Sequence, residues 1–478
     1  MAEIFRPELC IVGAGALGIA LAQHARRLGA HVLLVGRQVP EPGDGPQRAV
    51  RFAALAASAA RAAAMRQADA LGLASVEPKI SMRTVQERAR DLAAEHGVLD
   101  SHERLAALGI EVLTGTPRFV DGTTLAVGDA QVRPQAFVLA VGAEAMVPAI
   151  DGLDEAGYFT PDSILENARK LTHLLVIGGD PEALALAQVF ARLGSAVTLV
   201  PQGPALAGFD AETSSILMRA LAEDGVRVID GAVVDAIQPR SQGIGVNVAL
   251  PEGGASEALD VSHLLVCAGH LASLDGLGLD AARLRPLRGQ PRQFAVGALG
   301  QTSNGRIRVV GAAAGIEQWQ HALGHGRAVI EALVLGAPRR RPAYEPRLVQ
   351  TEPALAQIGR WPTETKPLAT GHAILRVGLS ENGKALAEGQ GRGLTKVLVN
   401  AKGQVVAASL VGPQAGELAG VLALAMDNGL PLSQLAALSV PHPSHLATLV
   451  GLGENHKARE TVSPFMRRVG AARRWLRI

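Results

Sequence analysis

At 478 residues the chain is too long for one compact core, so two or three domains are expected. Lys and Arg total 46 against 44 Asp and Glu, which leaves no charge field directed at nucleic acid, and 48% hydrophobic residues supply ample core material. The two cysteines, Cys10 and Cys267, lie in apolar runs and read as buried residues in a reducing compartment; with no signal-peptide pattern and no apolar run near the ~18 residues of a membrane span, a soluble, cytoplasmic protein is expected.

Leu9 to Val12 is an apolar run suited to a buried parallel strand, and it leads into Gly13, Gly15 and Gly18 in a GxGxxG turn. Leu17, Leu21 and Leu28 recur at helical spacing, Gly29 stops the helix, and His31 to Val35 reads as the next strand. This is the pattern of a βαβ dinucleotide fold. The glycines allow a tight turn, close approach of the backbone to a pyrophosphate and packing of helix on strand, so Gly13, Gly15, Ala16 and Gly18 are candidate cofactor contacts. A glycine-rich turn without a ligand is the alternative. The second strand of such a unit normally ends in an acid that binds a ribose hydroxyl; here Gly36 stands in that place and Arg37 follows, so these two mark the candidate ribose end.

A turn-rich segment, VPEPGDGPQRAV, comes next, and the Ala-rich stretch Arg51 to Leu71 is expected to form one long helix. Arg83 to Glu95 continues as helix or connector. Between Gly109 and Val141 short β runs predict a meander that returns to the main sheet. Leu174 to Val200 then repeats Leu9 to Val35, with ALAQ and RLG falling on ALAQ and RLG, which points to duplication. Further strands are expected at Val226 to Ile229, Ile244 to Leu250 and Leu264 to Ala268. After Arg339-Arg340-Arg341-Pro342 a proline-punctuated linker leads to a third unit from about Leu348, with strands at His372 to Leu379, Thr395 to Asn400 and Val405 to Val411 and a helix over Gly416 to Asn428. The tail, Arg467 to Arg477 with Trp475, is basic and a candidate for weak contact with an anionic membrane surface, a solvated helix end being the alternative.

This layout resembles the flavoprotein disulfide reductases, the group of glutathione reductase, dihydrolipoamide dehydrogenase and mercuric reductase. Leu139 to Leu153 resembles the family's ATG segment, Cys267 to Ala282 its GRxPN segment and Gln301 to Gly315 the segment that binds flavin. His321 to Gly336 resembles the helix that follows, and Pro441 to Ala447 the HPTxSE segment of the dimerisation domain. The resemblance implies an α/β fold with two Rossmann-like domains and a C-terminal α+β dimerisation domain. Residues 1–150 and 274–342 would form an FAD-binding-type domain, 151–273 an NAD(P)-binding-type domain and 348–478 the dimerisation domain. It further implies FAD on the first domain, with Ala140, Gly142, Gly311 and Ala312 beside it, NAD(P)H on the second, and a homodimer in which the His of one subunit completes the active site of the other.

Several of the family's working residues are replaced. The redox-active CxxxxC should fall between Arg37 and Phe52, where this sequence has a shorter, cysteine-free loop, so dithiol chemistry is not expected. The second glycine motif reads Gly178-Gly179-Asp180-Pro181-Glu182-Ala183. Asp180 stands where backbone should meet the pyrophosphate, Pro201-Gln202 replace the acid after the next strand, and Ala185 replaces a Glu near the flavin; ordinary NAD(P)H docking is disfavoured. At the flavin, Gly311-Ala312 replace the family's GD, so FAD would depend on the helix N-terminus, backbone amides and apolar packing. His442 and Pro443 are kept while Ala447 replaces the orienting Glu. His442 is the candidate acid/base, with a packed interface histidine as the alternative, and His442 with His445 lacks the acidic or thiol neighbours of a metal site. Two functions remain: an FAD-dependent oxidoreductase without dithiol chemistry and of unknown acceptor, or a pseudoenzyme that keeps the scaffold as a dimeric binding or regulatory module.

Overall fold

The computed structural model describes residues 3–38, 46–97, 101–251, 256–337, 344–362, 368–459, 468–469 and 473–475. The linker arginines 339–341 and most of the basic tail lie outside the described residues, as does most of the cysteine-free loop. Two compact units are present: Met1–Ala207 with Leu221–Pro342, and Gly208–Ala220 with Ala343–Ile478.

In the first unit, strand Leu9–Val12 passes through the glycine turn into helix α1 (Ala16–Arg27) and on to strand Val32–Gly36. α1 buries Ile19, Leu21, Ala22 and Ala25, with Leu17 and Leu28 at the margin of the same core. The Ala-rich stretch forms α2 (Pro46–Arg66) and, after a break at Gln67, a 3-10 turn over Ala68–Leu71. The helix therefore starts before Arg51 and stops short of Leu71: Pro46 has the fixed φ that suits a first turn, and Gly72, at φ +79°, closes the 3-10 turn. α3 (Met82–Gly97) lays Met82, Ala89 and Ala93 inward, and the short α4 (His102–Ala107) starts at Ser101, whose hydroxyl accepts from Arg104 N–H at 3.3 Å.

Five parallel strands form the first sheet in the order Ile307–Val309, Ala136–Leu139, Leu9–Val12, Val32–Gly36, Glu111–Thr114. Side chains alternate between its faces, so Leu9, Ile11, Val32 and Leu34 meet one core while Cys10, Val12, Leu33 and Val35 meet another. The short α5 (Leu153–Ala156) precedes the repeat: strand His173–Ile177, α6 (Pro181–Arg192) and strand Ala196–Val200. After α7 (Ala211–Glu223) the second sheet is completed in the order Val226–Val228, Ala196–Val200, His173–Ile177, His263–Val266, again parallel. The duplication extends beyond the βαβ. In both halves an antiparallel meander follows, at Pro117–Val132 and at Val233–Val261, and its exit strand returns beside the first strand of the repeat. α8 (Trp319–Leu335) packs on α1, where a Cβ on Gly326 would lie 2.7 Å from Leu21 Cδ1, so glycine lets the two helices meet there without moving the Leu21 side chain.

The second unit is an antiparallel sheet in the order Arg347–Val349, Ala354–Gly359, Val405–Gly412, Leu394–Val399, Ala373–Gly378. It carries α9 (Gly383–Ala387), α10 (Ala415–Asp427) and α11 (Ala447–Arg459). Segment Gly208–Ala220 is fastened to this sheet by buried polar contacts: Lys396 Nζ donates to Asp210 Oδ2 at 2.6 Å, and the Thr213 and Ser409 hydroxyls lie 2.7 Å apart. Among the described residues no helix is long and apolar enough to cross a membrane.

Candidate functional site

The candidate cofactor residues of the first repeat gather at the carboxyl ends of the first sheet's strands, the edge at which open α/β sheets hold ligands. Gly13 ends the first strand at φ +111°, and a Cβ there would sit 2.1 Å from the Ala140 carbonyl oxygen. A Cβ on Gly18 would sit 1.8 Å from Gly13 O, and one on Gly311, at φ +66°, 2.8 Å from Leu17 Cδ2. These contacts join Gly13, Gly18 and Ala140 and set Gly311 against Leu17 at one lip, with Gly15 and Ala16 inside the turn and Gly142 (φ +71°) and Ala312 adjoining in sequence. Gly15 is the N-cap of α1; no side chain caps this helix, and its first turn carries no acid. Gly36 is buried, with its absent Cβ 2.4 Å from that of Ala14, and Arg37 is exposed beyond it.

The second repeat is built alike until its helix starts. Gly178 has φ +141°, and its Cβ would sit 1.9 Å from Cys267 O. Asp180 is the N-cap of α6, and its Oδ1 accepts from Ala183 N–H at 2.8 Å; Pro181 opens the helix and Glu182 lies in its first turn. Burial holds the Asp180 carboxyl above the usual carboxylate range, the Ala183 N–H opposes this and neighbouring Glu182 adds to it. The Gly179 carbonyl accepts from Leu206 N–H at 2.9 Å.

Arg48 of α2 reaches across to this helix start. Its guanidinium pairs with both Glu182 and Asp162, while Arg51, one turn on, pairs with Glu166. Burial alone would depress the Arg48 pKa, but Glu182 and Asp162 reverse that and keep it raised. His270 Nε2 lies 3.9 Å from Glu182 Oε2. Cys10, inside strand Leu9–Val12, and Cys267, just past strand His263–Val266, are both free and buried. Burial pushes both thiols up, with Asp180 and Glu182 adding to the effect at Cys267. A buried thiol so held is a poor nucleophile, because the thiolate is the reactive form.

In the second unit His442 is exposed and His445 is the oriented imidazole. His445 Nε2 meets Glu388 Oε2 at 2.9 Å, and Lys384 Nζ lies 2.9 Å from Glu388 Oε1. The Lys384 hydrogen bond and the His445 contact hold the Glu388 carboxyl below its ordinary value despite the small opposing cost of burial. Buried Asn382 pins the turn by donating to the carbonyl of Ser444 at 3.0 Å and to the Thr448 hydroxyl at 2.9 Å.

Arg48, Asp162, His270, Glu388 and Asn382 are absent from the sequence-based candidates. Arg48 is 114 and 134 residues from its partners, so no local signal marks it. Asp180-Pro181-Glu182 did carry one: an N-cap acid, a proline at the first helical position and an acid in the first turn are the signature of a helix start. Among the described residues no group of three His, Cys, Asp or Glu side chains is arranged to hold a metal.

A family model described as pyridine nucleotide-disulphide oxidoreductase matches residues 7–326, and one for the dimerisation domain of the same proteins matches 345–450. The chain is 28% identical to a mercuric reductase of Streptomyces lividans over 448 residues, 91% of this chain and 93% of that protein. A dihydrolipoyl dehydrogenase of Thermus scotoductus is 29% identical over 350 residues, 70% of this chain and 73% of the relative. In fold it is similar to the HOCl-induced flavoprotein disulfide reductase RclA of Escherichia coli, solved as a Cu(II) complex, with a TM-score of 0.82 at 21% identity over 95% of this chain and all of that one.

Proposed function

The chain belongs to the pyridine nucleotide-disulphide oxidoreductase family, and on that premise we propose that it is an FAD-dependent oxidoreductase that works without a redox-active dithiol. The observation that carries this reading is the first cradle. A pyrophosphate needs unobstructed backbone amides at a helix N-terminus, and α1 offers them: Gly15 has no side chain, no acid stands in the first turn, and Gly13 and Gly18 fit only because they lack a Cβ. These residues fit FAD at its phosphates. Gly13, Gly15, Ala16 and Gly18 would hold the pyrophosphate, Ala140, Gly142, Gly311 and Ala312 would line the flavin end, and Gly36 with Arg37 would face the adenosine ribose. Bound FAD supplies one- or two-electron transfer; the chain's own part is to seat it, pack apolar residues around it and exclude water.

Dithiol chemistry is left out because two buried thiols on separate strands cannot serve as an exchanging pair. We assign FAD binding to residues 1–150 and 274–342, the second dinucleotide fold to 151–273, and pairing to 348–478, consistent with the dimerisation domain that this family uses to form homodimers. His442, exposed in that last segment, is the acid/base assigned to the partner's site. Two unpaired cysteines suit the cytoplasm, and the near balance of charge gives no reason to expect nucleic acid. The acceptor lies outside disulfides. A second reading, a pseudoenzyme scaffold, is favoured by the acid-capped start of α6.

Purified full-length protein decides between them. A flavin absorption band at about 450 nm, with FAD released on denaturation, supports the oxidoreductase; colourless protein whose melting temperature ignores added FAD overturns it in favour of the scaffold.

A further inference from the structure

The family implies a second dinucleotide at the start of α6, and the residues present do not fit one. An open seat would leave the first-turn N–H groups to a phosphate. Here the Ala183 N–H is already taken by Asp180 Oδ1 at 2.8 Å, and Glu182 adds a second carboxylate in the same turn. Glu182 is balanced from within, by the guanidinium of Arg48, which also holds Asp162. Pro201 further presses on the turn, 2.6 Å from where a Gly179 Cβ would be.

We propose that the second cradle is a self-liganded seat: Asp180 and Glu182 stand in for the two negative charges of a dinucleotide pyrophosphate, Arg48 is the built-in counter-ion of Glu182, and pyridine nucleotides are shut out. The positive end of the α6 dipole is thereby satisfied without a ligand. A phosphate brought to the same amides would have to displace one carboxylate and lie against another. Burial raises the Asp180 pKa, and the Ala183 N–H bond to the carboxylate opposes that rise. This inference rests on the second βαβ being a dinucleotide fold and is independent of FAD on the first, whose occupancy is read separately from the flavin spectrum.

The test uses full-length wild type, Asp180→Gly and Asp180→Asn, titrated with NADH and with NADPH and followed by calorimetry and nicotinamide fluorescence. Wild type is expected to show no saturable binding at micromolar concentrations. Asp180→Gly, which removes both charge and side chain, is expected to tighten binding by on the order of a hundredfold, and Asp180→Asn, which keeps the capping acceptor but not the charge, by about tenfold. Micromolar binding by wild type overturns the proposal. So does an absence of gain in a folded Asp180→Gly with wild-type flavin content; should that variant not fold, an absence of gain in Asp180→Asn overturns it equally.

Discussion

The two βαβ repeats differ less in what they fold than in what they leave open. Both begin with a glycine of positive φ, +111° at Gly13 and +141° at Gly178, whose missing Cβ makes room for a carbonyl of the exit strand. Both end their helix at a glycine with φ +93°, Gly29 and Gly194. Their paths diverge at the helix N-cap. Gly15 leaves α1 without a side-chain cap, whereas Asp180 caps α6 and brings a charge where the first repeat presents only backbone. The glycine that survives at the head of both turns, Gly13 and Gly178, is one where a side chain would strike main chain, a penalty independent of any ligand. The N-cap glycine is needed only when a phosphate is bound, and an aspartate there stabilises the helix over glycine by roughly a few tenths of a kcal/mol.

The most severe test of this contrast pairs Gly18→Ala with Gly178→Ala. Each places a methyl within 2 Å of a backbone oxygen, 1.8 Å from Gly13 O and 1.9 Å from Cys267 O. Each should therefore cost roughly 3 kcal/mol or more in denaturant unfolding. Only Gly18→Ala should also strip flavin from protein that remains folded. Equal flavin loss from both would mean that the repeats are not functionally distinct.

Arg48→Met comes next. It leaves Glu182, 23% exposed, and Asp162 without their counter-ion, and should lower stability by about 2 kcal/mol, less than for a fully buried pair because water reaches both carboxylates. Adding Glu182→Gln should recover part of that loss. If the double variant is no better than the single one, Arg48 acts through packing and the charge bridge is incidental.

Much of this was legible in the sequence because it is local. The glycine spacing, the unbroken apolar run Leu9–Val12 and the ALAQ and RLG repeats each lie within a few residues, and they lead directly to the sheets and helices observed. What was not legible depends on pairs far apart in the chain. Arg48 meets Glu182 across 134 positions, and His445 meets Glu388 across 57, so a motif centred on His442 pointed to the exposed imidazole and missed the oriented one. The Asp180 cap lies between these cases: its residues are contiguous, yet a reading framed by the nucleotide motif registers the lost glycine before the gained N-cap.

Asp180 also gives the contrast a pH dependence. Its folded-state pKa is raised, chiefly by burial, so the native state holds the proton more tightly than the unfolded chain. Stability from this group is then greatest below the ordinary carboxylate pKa and declines as pH rises through the raised one. Relative to Asp180→Asn, wild type should lose stability as pH rises from mildly acidic to neutral. Parallel urea titrations across that range check it. A flat difference would mean that Asp180 titrates normally and that its hydrogen bond to Ala183 matters more than its burial.

The smallest expected effect concerns where each turn touches its second strand. In the first repeat Ala14 faces Gly36, whose Cβ would sit 2.4 Å from that of Ala14; in the second the sizes are exchanged, with Gly179 facing Pro201 at 2.6 Å. Each contact has room for one side chain, and the duplicated halves place it on opposite partners. Gly36→Ala alone should destabilise the fold, and Ala14→Gly should lose little beyond the flexibility that glycine adds to the unfolded chain. The double variant, which copies the second repeat's arrangement into the first, should be more stable than the sum of the singles by about 1 kcal/mol. Additive effects would show that strand and turn adjust independently. The family's ribose acid was then lost at Gly36 for reasons unrelated to the residue packed against it.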